Sequence, residues 1–174
     1  YHLIKSISPF DQIEREHIDY ALRWIESGQE IFRLVKPATP DIHLVAYFLV
    51  LSPQTKQVLL VDHKRAKLWL PSGGHVELNE HPKETVKREA REELDIEAEF
   101  LSEEPVFLSV AKTIGSPSVH TDVSIWYILN GNPNIPYNFD YGEFHQISWF
   151  DVDKIPFNQT DPHMPRFIEK MKLA

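Results

Sequence analysis

The sequence predicts a mixed α+β sandwich built as one domain. Two patterns carry that expectation. Several short runs rich in β-branched and aromatic residues are separated by turn signals, and a few other segments repeat apolar residues at helical spacing. A third observation sets the size: 174 residues are enough for one well-buried domain and short for two.

In chain order, Ser8-Pro9 reads as an N-cap followed by a first-turn proline. Behind it, Ile13, His17, Ala21, Leu22 and Ile25 recur at helical spacing as far as Ser27-Gly28. Such a helix packs against the main domain or a homodimer partner, or serves as a substrate lid. Pro37-Ala38-Thr39-Pro40 reads as a linker. Residues 1–38 are therefore expected to form an N-terminal helical extension, and residues 39–174 the main domain. Strands are expected over Ile42–Ser52, Gln57–Asp62 and Leu68–Leu70, the last one broken by Pro71-Ser72-Gly73-Gly74. A helix is expected from Pro82 to Leu94, with His81 or Asn79 near its cap. Further strands are expected near Ala98–Phe100, Val106–Ala111, Val119–Leu129 and Gln146–Phe150. A last helix should span Pro162 to Met171. Asn130 to Gly142 is rich in Asn, Pro, Gly and Tyr and reads as a loop beside a site.

Composition excludes several classes. The net charge is −8, so the surface should repel long polyanions and no long nucleic acid is expected as a partner. A small phosphorylated ligand remains compatible if a metal neutralises local carboxylates. There is no apolar run of about 18 residues, so no membrane span is expected, and the N-terminus lacks a basic-then-apolar signal pattern. There are no cysteines, which removes disulfides, thiolate zinc sites and a cysteine nucleophile together. That composition fits a reducing cytoplasm, the expected location.

The chemically informative stretch runs from Gly74 to Ile96. Glu89, Glu92 and Glu93 stand at i, i+3 and i+4, which places three carboxylates on one helix face. Like charges this close repel, and oxygen-loving divalent cations such as Mg2+ or Mn2+ would turn that repulsion into binding energy. A solvated acidic surface helix is the alternative that three glutamates alone leave open. Val86, Ala90 and Leu94 repeat at i, i+4 and i+8 on the next face and supply an apolar stripe against a sheet.

The full spacing is more specific than the glutamates. It matches G-x5-E-x7-R-E-U-x-E-E-x-G-U, with U a bulky aliphatic residue, through Gly74, Glu80, Arg88, Glu89, Glu92, Glu93 and Ile96. The chain thus resembles the Nudix hydrolase family, and that resemblance implies a Nudix-type α/β/α sandwich with a mixed β-sheet. Two positions depart from the pattern. Ala90 occupies an aliphatic position, and Asp95 replaces the last glycine, which ends the helix in a left-handed conformation that Gly adopts without steric cost. Asp tolerates that conformation less well, at a modest cost in stability.

The resemblance implies metal ligation by Glu89, Glu92 and Glu93, with Gly74 lending its backbone carbonyl. It assigns Arg88 to orienting a carboxylate by a salt bridge and Glu80 to supporting that network. It also implies a Mg2+-dependent pyrophosphohydrolase, with Mn2+ as the alternative ion, acting on a small nucleotide-type substrate. Outside the motif, Glu143 precedes Trp149 in the way of a family acid that binds metal or acts as general base; a solvated loop carboxylate is the other reading. His75, Arg65 and His120 are candidate substrate contacts, each with an ordinary surface or hairpin role as its alternative. Among the nine histidines, His75 and His81 have no familiar zinc-ligand spacing, and no H-E-x-x-H occurs. A catalytically weak Nudix-fold sensor is the rival function, disfavoured because the motif glutamates are intact. An isoprenoid diphosphate isomerase of the same fold is disfavoured by the absence of cysteine. Val110 to Ile114 carries neither the proline of the ADP-ribose branch nor the tyrosine of the diadenosine-polyphosphate branch.

Overall fold

In a computed structural model of the chain, residues 1–36, 39–113 and 119–173 are described. Pro37 and Ala38 of the expected linker, and Ile114, lie outside them. The elements in order are α1 (His2–Ser6), α2 (Gln12–Glu26), β1 (Ile42–Ser52), β2 (Gln57–His63), β3 (Leu68–Leu70), β4 (Ser72–His75), α3 (Pro82–Leu94), β5 (Phe107–Thr113), β6 (His120–Asn130), β7 (Phe144–Asp151) and α4 (Met164–Leu173). The strands form one seven-stranded sheet in the order β3-β2-β1-β6-β5, with β4 paired to β1 and β7 paired to β2. The β1–β2, β2–β3, β2–β7 and β5–β6 pairs are antiparallel. Thr121 N–H donates to Asp41 O at 2.7 Å and Gly131 N–H to Leu51 O at 2.8 Å, an equal offset at both ends that makes β1 and β6 parallel. The sheet is therefore mixed and the class is α+β, as expected.

Residues pack into two compact units. One comprises Tyr1–Tyr47, Gly73–Val86 and Ser102–Tyr127, and the other Phe48–Ser72, Lys87–Leu101 and Ile128–Ala174. In the first, α2 lies along β5. The helix begins later than expected: Asp11, not Ser8, is its N-cap, accepting a hydrogen bond from Glu14 N–H at 2.7 Å. The buried stripe is Glu14, Ile18, Ala21 and Trp24, and Ile13 is half exposed. Glu14 is fully buried because its carboxylate is filled with donors, Phe10 N–H at 2.6 Å and Leu108 N–H at 3.2 Å. His17 Nδ1 accepts from Val110 N–H at 3.3 Å. Together these side chains accept from two outward-facing donors of β5, the last strand of the sheet. The core of this unit includes Phe107, Leu108, Ile125 and Trp126, whose indole N–H donates to Ser109 Oγ at 2.8 Å.

In the second unit β2 is the central strand, paired to β3 on one stretch and to β7 along most of its length. Val58, Leu59, Leu60 and Val61 are all buried, as a strand covered on both faces requires. The segment 98–100, expected as a strand, reduces to one bridge between Phe100 and Leu129. The helix α3 has the expected limits, and Val86, Ala90 and Leu94 are its buried stripe. At its start the His81 carbonyl accepts from Glu84 and Thr85 N–H, and His81 Nδ1 accepts from Lys83 N–H at 3.2 Å. At its end Asp95 takes φ +52°, while Ile96 N–H reaches back to Ala90 O at 3.1 Å. That is the left-handed close anticipated at this position. Asn138 Nδ2 donates to Asp95 Oδ2 at 2.9 Å, tying the 130–142 loop to the helix end.

Candidate functional site

On α3, Arg88 is the hub of the acidic face. Its Nη1 donates to Glu89 Oε1 at 2.6 Å and to Glu92 Oε2 at 3.3 Å. The three glutamates occupy different environments. Glu93 is buried, the Glu89 side chain is 13% exposed and that of Glu92 is 61% exposed. Burial raises the Glu89 carboxyl above its ordinary pKa, Arg88 pulls it down, and the charges of Glu92 and Glu143 push it up again. This opposition is what a shared cation would relieve. All the side-chain donors here are carboxylate oxygens, the set that suits Mg2+ or Mn2+ rather than a softer ion.

Glu143 belongs to the same neighbourhood. It is exposed, its carbonyl accepts from Lys64 N–H at 2.9 Å, and β7 begins beside it with Phe144 opposite His63. His63 is depressed below its usual pKa mainly by burial, with Glu143 opposing and Arg65 adding to the shift. Arg65 is exposed, and its N–H donates to His63 Nδ1 at 3.2 Å. Asp140 N–H donates to Glu93 O at 2.9 Å, so the loop ahead of Glu143 is anchored on the α3 backbone.

In the first unit, Gly74 and His75 lie in β4. Glu80 Oε2 accepts from Glu77 N–H at 3.1 Å and from Thr85 Oγ1 at 2.8 Å. Gly73 has φ +139°, and a Cβ there would stand 2.2 Å from Ala46 O. Only glycine lets β4 approach β1 this closely.

A second constellation lies in this unit. His43 on β1, His75 at the end of β4, and His120 and Asp122 on β6 converge. Among the described residues it is the one group of three or more His, Asp or Glu side chains whose ligand atoms all lie within 4.8 Å of one another. His43 Nε2 is 2.9 Å from His75 Nε2 and 3.1 Å from Asp122 Oδ1, and His120 Nε2 is 3.5 Å from Asp122 Oδ2. His43 Nδ1 lies 3.0 Å from Pro40 O, and a carbonyl can only accept, so the ring carries its proton there. Thr113 donates to Asp122 Oδ2 at 2.8 Å. Asp122 Oδ1 is buried and, among the described residues, receives no well-aligned hydrogen bond despite the 3.1 Å approach of His43. Burial raises the Asp122 carboxyl, but His43 and Thr113 outweigh it and hold it below the usual carboxylate range. Burial, with the Arg33 guanidinium 3.4 Å away, pushes His75 down to about 3.

Of the side chains singled out from sequence, Glu89, Glu92 and Arg88 are joined by hydrogen bonds, and His75 and His120 fall into the histidine cluster. His43 and Asp122 were missed. Alternation within β6 puts His120 and Asp122 on one face, a signal available in the sequence. For His43 the signal was weaker: one polar residue inside the apolar run 42–52, fully buried in the fold.

No curated protein matches the chain. Among solved structures, a MutT Nudix hydrolase from Burkholderia pseudomallei superposes with a TM-score of 0.58 at 21% identity, covering 73% of this chain and 95% of its own. A Nudix-family hydrolase from Clostridium perfringens gives 0.58 at 22% identity, covering 75% and 97%. The E. coli dihydroneopterin triphosphate pyrophosphohydrolase gives 0.55 at 16% identity, covering 72% and 94%. These likenesses establish the fold. The NUDIX domain model matches residues 42–171, a span that contains the whole Gly74–Ile96 motif, and the chain therefore belongs to the Nudix family.

Proposed function

We propose that this chain is a metal-dependent hydrolase that cleaves a phosphoric anhydride bond in a nucleoside di- or triphosphate or a related nucleotide derivative. The observation that carries the reading is the graded acidic face of α3, where Glu89 accepts from Arg88 and Glu93, one turn further on, is buried. That one solved neighbour is named a triphosphate pyrophosphohydrolase is consistent with this substrate class.

In this reading Glu89, Glu92 and Glu93 would hold Mg2+ (Mn2+ substituting), and the family resemblance assigns the Gly74 carbonyl as a further ligand. The bound ion supplies charge neutralisation at the phosphates and a more acidic water. Arg88 pulls the Glu89 carboxyl toward the ionised form and fixes its direction, and Glu80 buttresses the start of α3 through Thr85. Glu143 takes the proton of the attacking water as its oxygen bonds to phosphorus. The anhydride P–O bond breaks on the opposite side, and the leaving phosphate keeps the electron pair. His75, His120 and Arg65 remain candidates for substrate phosphates. Residues 1–38 are read as an extension outside the catalytic domain.

The test is a phosphate-release screen of nucleotides, dinucleoside polyphosphates, ADP-ribose and sugar nucleotides, with and without Mg2+. Glu93→Gln is expected to lower kcat by about 1000-fold or more with an unchanged circular dichroism spectrum. Near-normal turnover in that variant would overturn the assignment.

A further inference from the structure

We propose that His43, His75, His120 and Asp122 form a transition-metal site, selective for Zn2+ and ions of similar ligand preference, distinct in donor chemistry from the carboxylates of α3. Three imidazole nitrogens and one carboxylate oxygen are the donor set of borderline ions, whereas Mg2+ takes oxygen. The convergence is tight: all ligand atoms lie within 4.8 Å of one another. A tetrahedral zinc with Zn–N bonds of about 2.0–2.1 Å sets its nitrogens roughly 3.3 Å apart. His43 and His75, at 2.9 Å, need to open only slightly.

Protonation and outer contacts favour the same conclusion. His43 commits its Nδ1–H to Pro40 O, so in the neutral ring Nε2 presents its lone pair to the cluster. This is the backbone hydrogen bond that typically orients a ligating histidine. The Thr113 hydroxyl holds Asp122 through Oδ2 and leaves Oδ1, the buried oxygen that lacks a well-aligned donor among the described residues, facing His43. A buried carboxylate oxygen in that state is costly unless a cation meets it. The side chains arise from β1, β4 and β6, so strands rather than loops hold them. The Arg33 charge beside His75 opposes a cation, and the Asp122 carboxylate offsets it.

The experiment uses the full chain without a histidine tag, stripped with EDTA and kept in millimolar Mg2+ to satisfy oxygen-only sites. Titration with Co2+ is expected to give the visible absorption of four-coordinate cobalt at one ion per chain, and Zn2+ to abolish it. His120→Gln and Asp122→Asn are each expected to weaken uptake by about 100-fold, and Glu93→Gln to leave it unchanged. Should the variants misfold, the wild-type imidazole 15N resonances decide: Zn2+ must shift those of His43, His75 and His120. No cobalt spectrum in the wild type, unshifted imidazole resonances, or uptake lost with Glu93→Gln but retained in folded His120→Gln each overturn the proposal. None of these readouts depends on hydrolysis.

Discussion

Among the described glycines, Gly73 is the one whose Cβ would press hardest on backbone. Its φ of +139° lies where side chains are strained, and a Cβ would press on Ala46 O at 2.2 Å and Tyr47 Cα at 2.8 Å. Both obstacles are backbone and cannot swing aside. Gly73→Ala is therefore expected to cost about 3 kcal/mol from strain and overpacking together. Urea denaturation measures it; a loss under about 1 kcal/mol would contradict the close approach. Asp95 is the gentler case: its left-handed turn was legible because the motif calls for glycine there. The Asn138 contact that accompanies it was not legible, since it joins positions far apart in sequence. The same limit hid His43 and Asp122. Alternation marks which strand residues share a face, but not which other strand that face meets.

At the level of elements, α3 was readable to its ends because Pro82, the Val86–Ala90–Leu94 stripe and the Asp95 close are all local signals. The helix α2 was readable as a helix, yet its face was misjudged. The apolar count favoured Ile13, whereas the chain buries Glu14, whose carboxylate accepts from Phe10 and from Leu108 on β5. No hydropathy pattern ranks a glutamate as core; its burial follows from a strand edge that needs acceptors. Glu14→Ala leaves both donors unmet and is expected to destabilise by about 2–4 kcal/mol, with Glu14→Gln intermediate because one acceptor oxygen survives. Guanidinium unfolding of the two variants checks the order, and an unchanged midpoint for Glu14→Ala would remove the role given to this contact.

For the molecule as a whole, most strand segments were legible but their order was not, and β4 forms where Ser72-Gly73-Gly74 read as a break. Hairpin neighbours such as β1 and β2 follow from the intervening turn, whereas the parallel β1–β6 pairing depends on a connection that no short-range pattern encodes. The match to the NUDIX domain model begins at residue 42 and so omits Glu14 and His17. Yet those two side chains accept the hydrogen bonds of Leu108 and Val110 at the terminal strand of the sheet. A gene trimmed to residues 42–171 would thus express a protein with a bare margin, able to add a strand from its own kind. Such a fragment is expected to run as soluble oligomers or precipitate in light scattering at concentrations where the full chain gives a single species. A monodisperse, cooperatively folding fragment would mean that the margin tolerates solvent unaided.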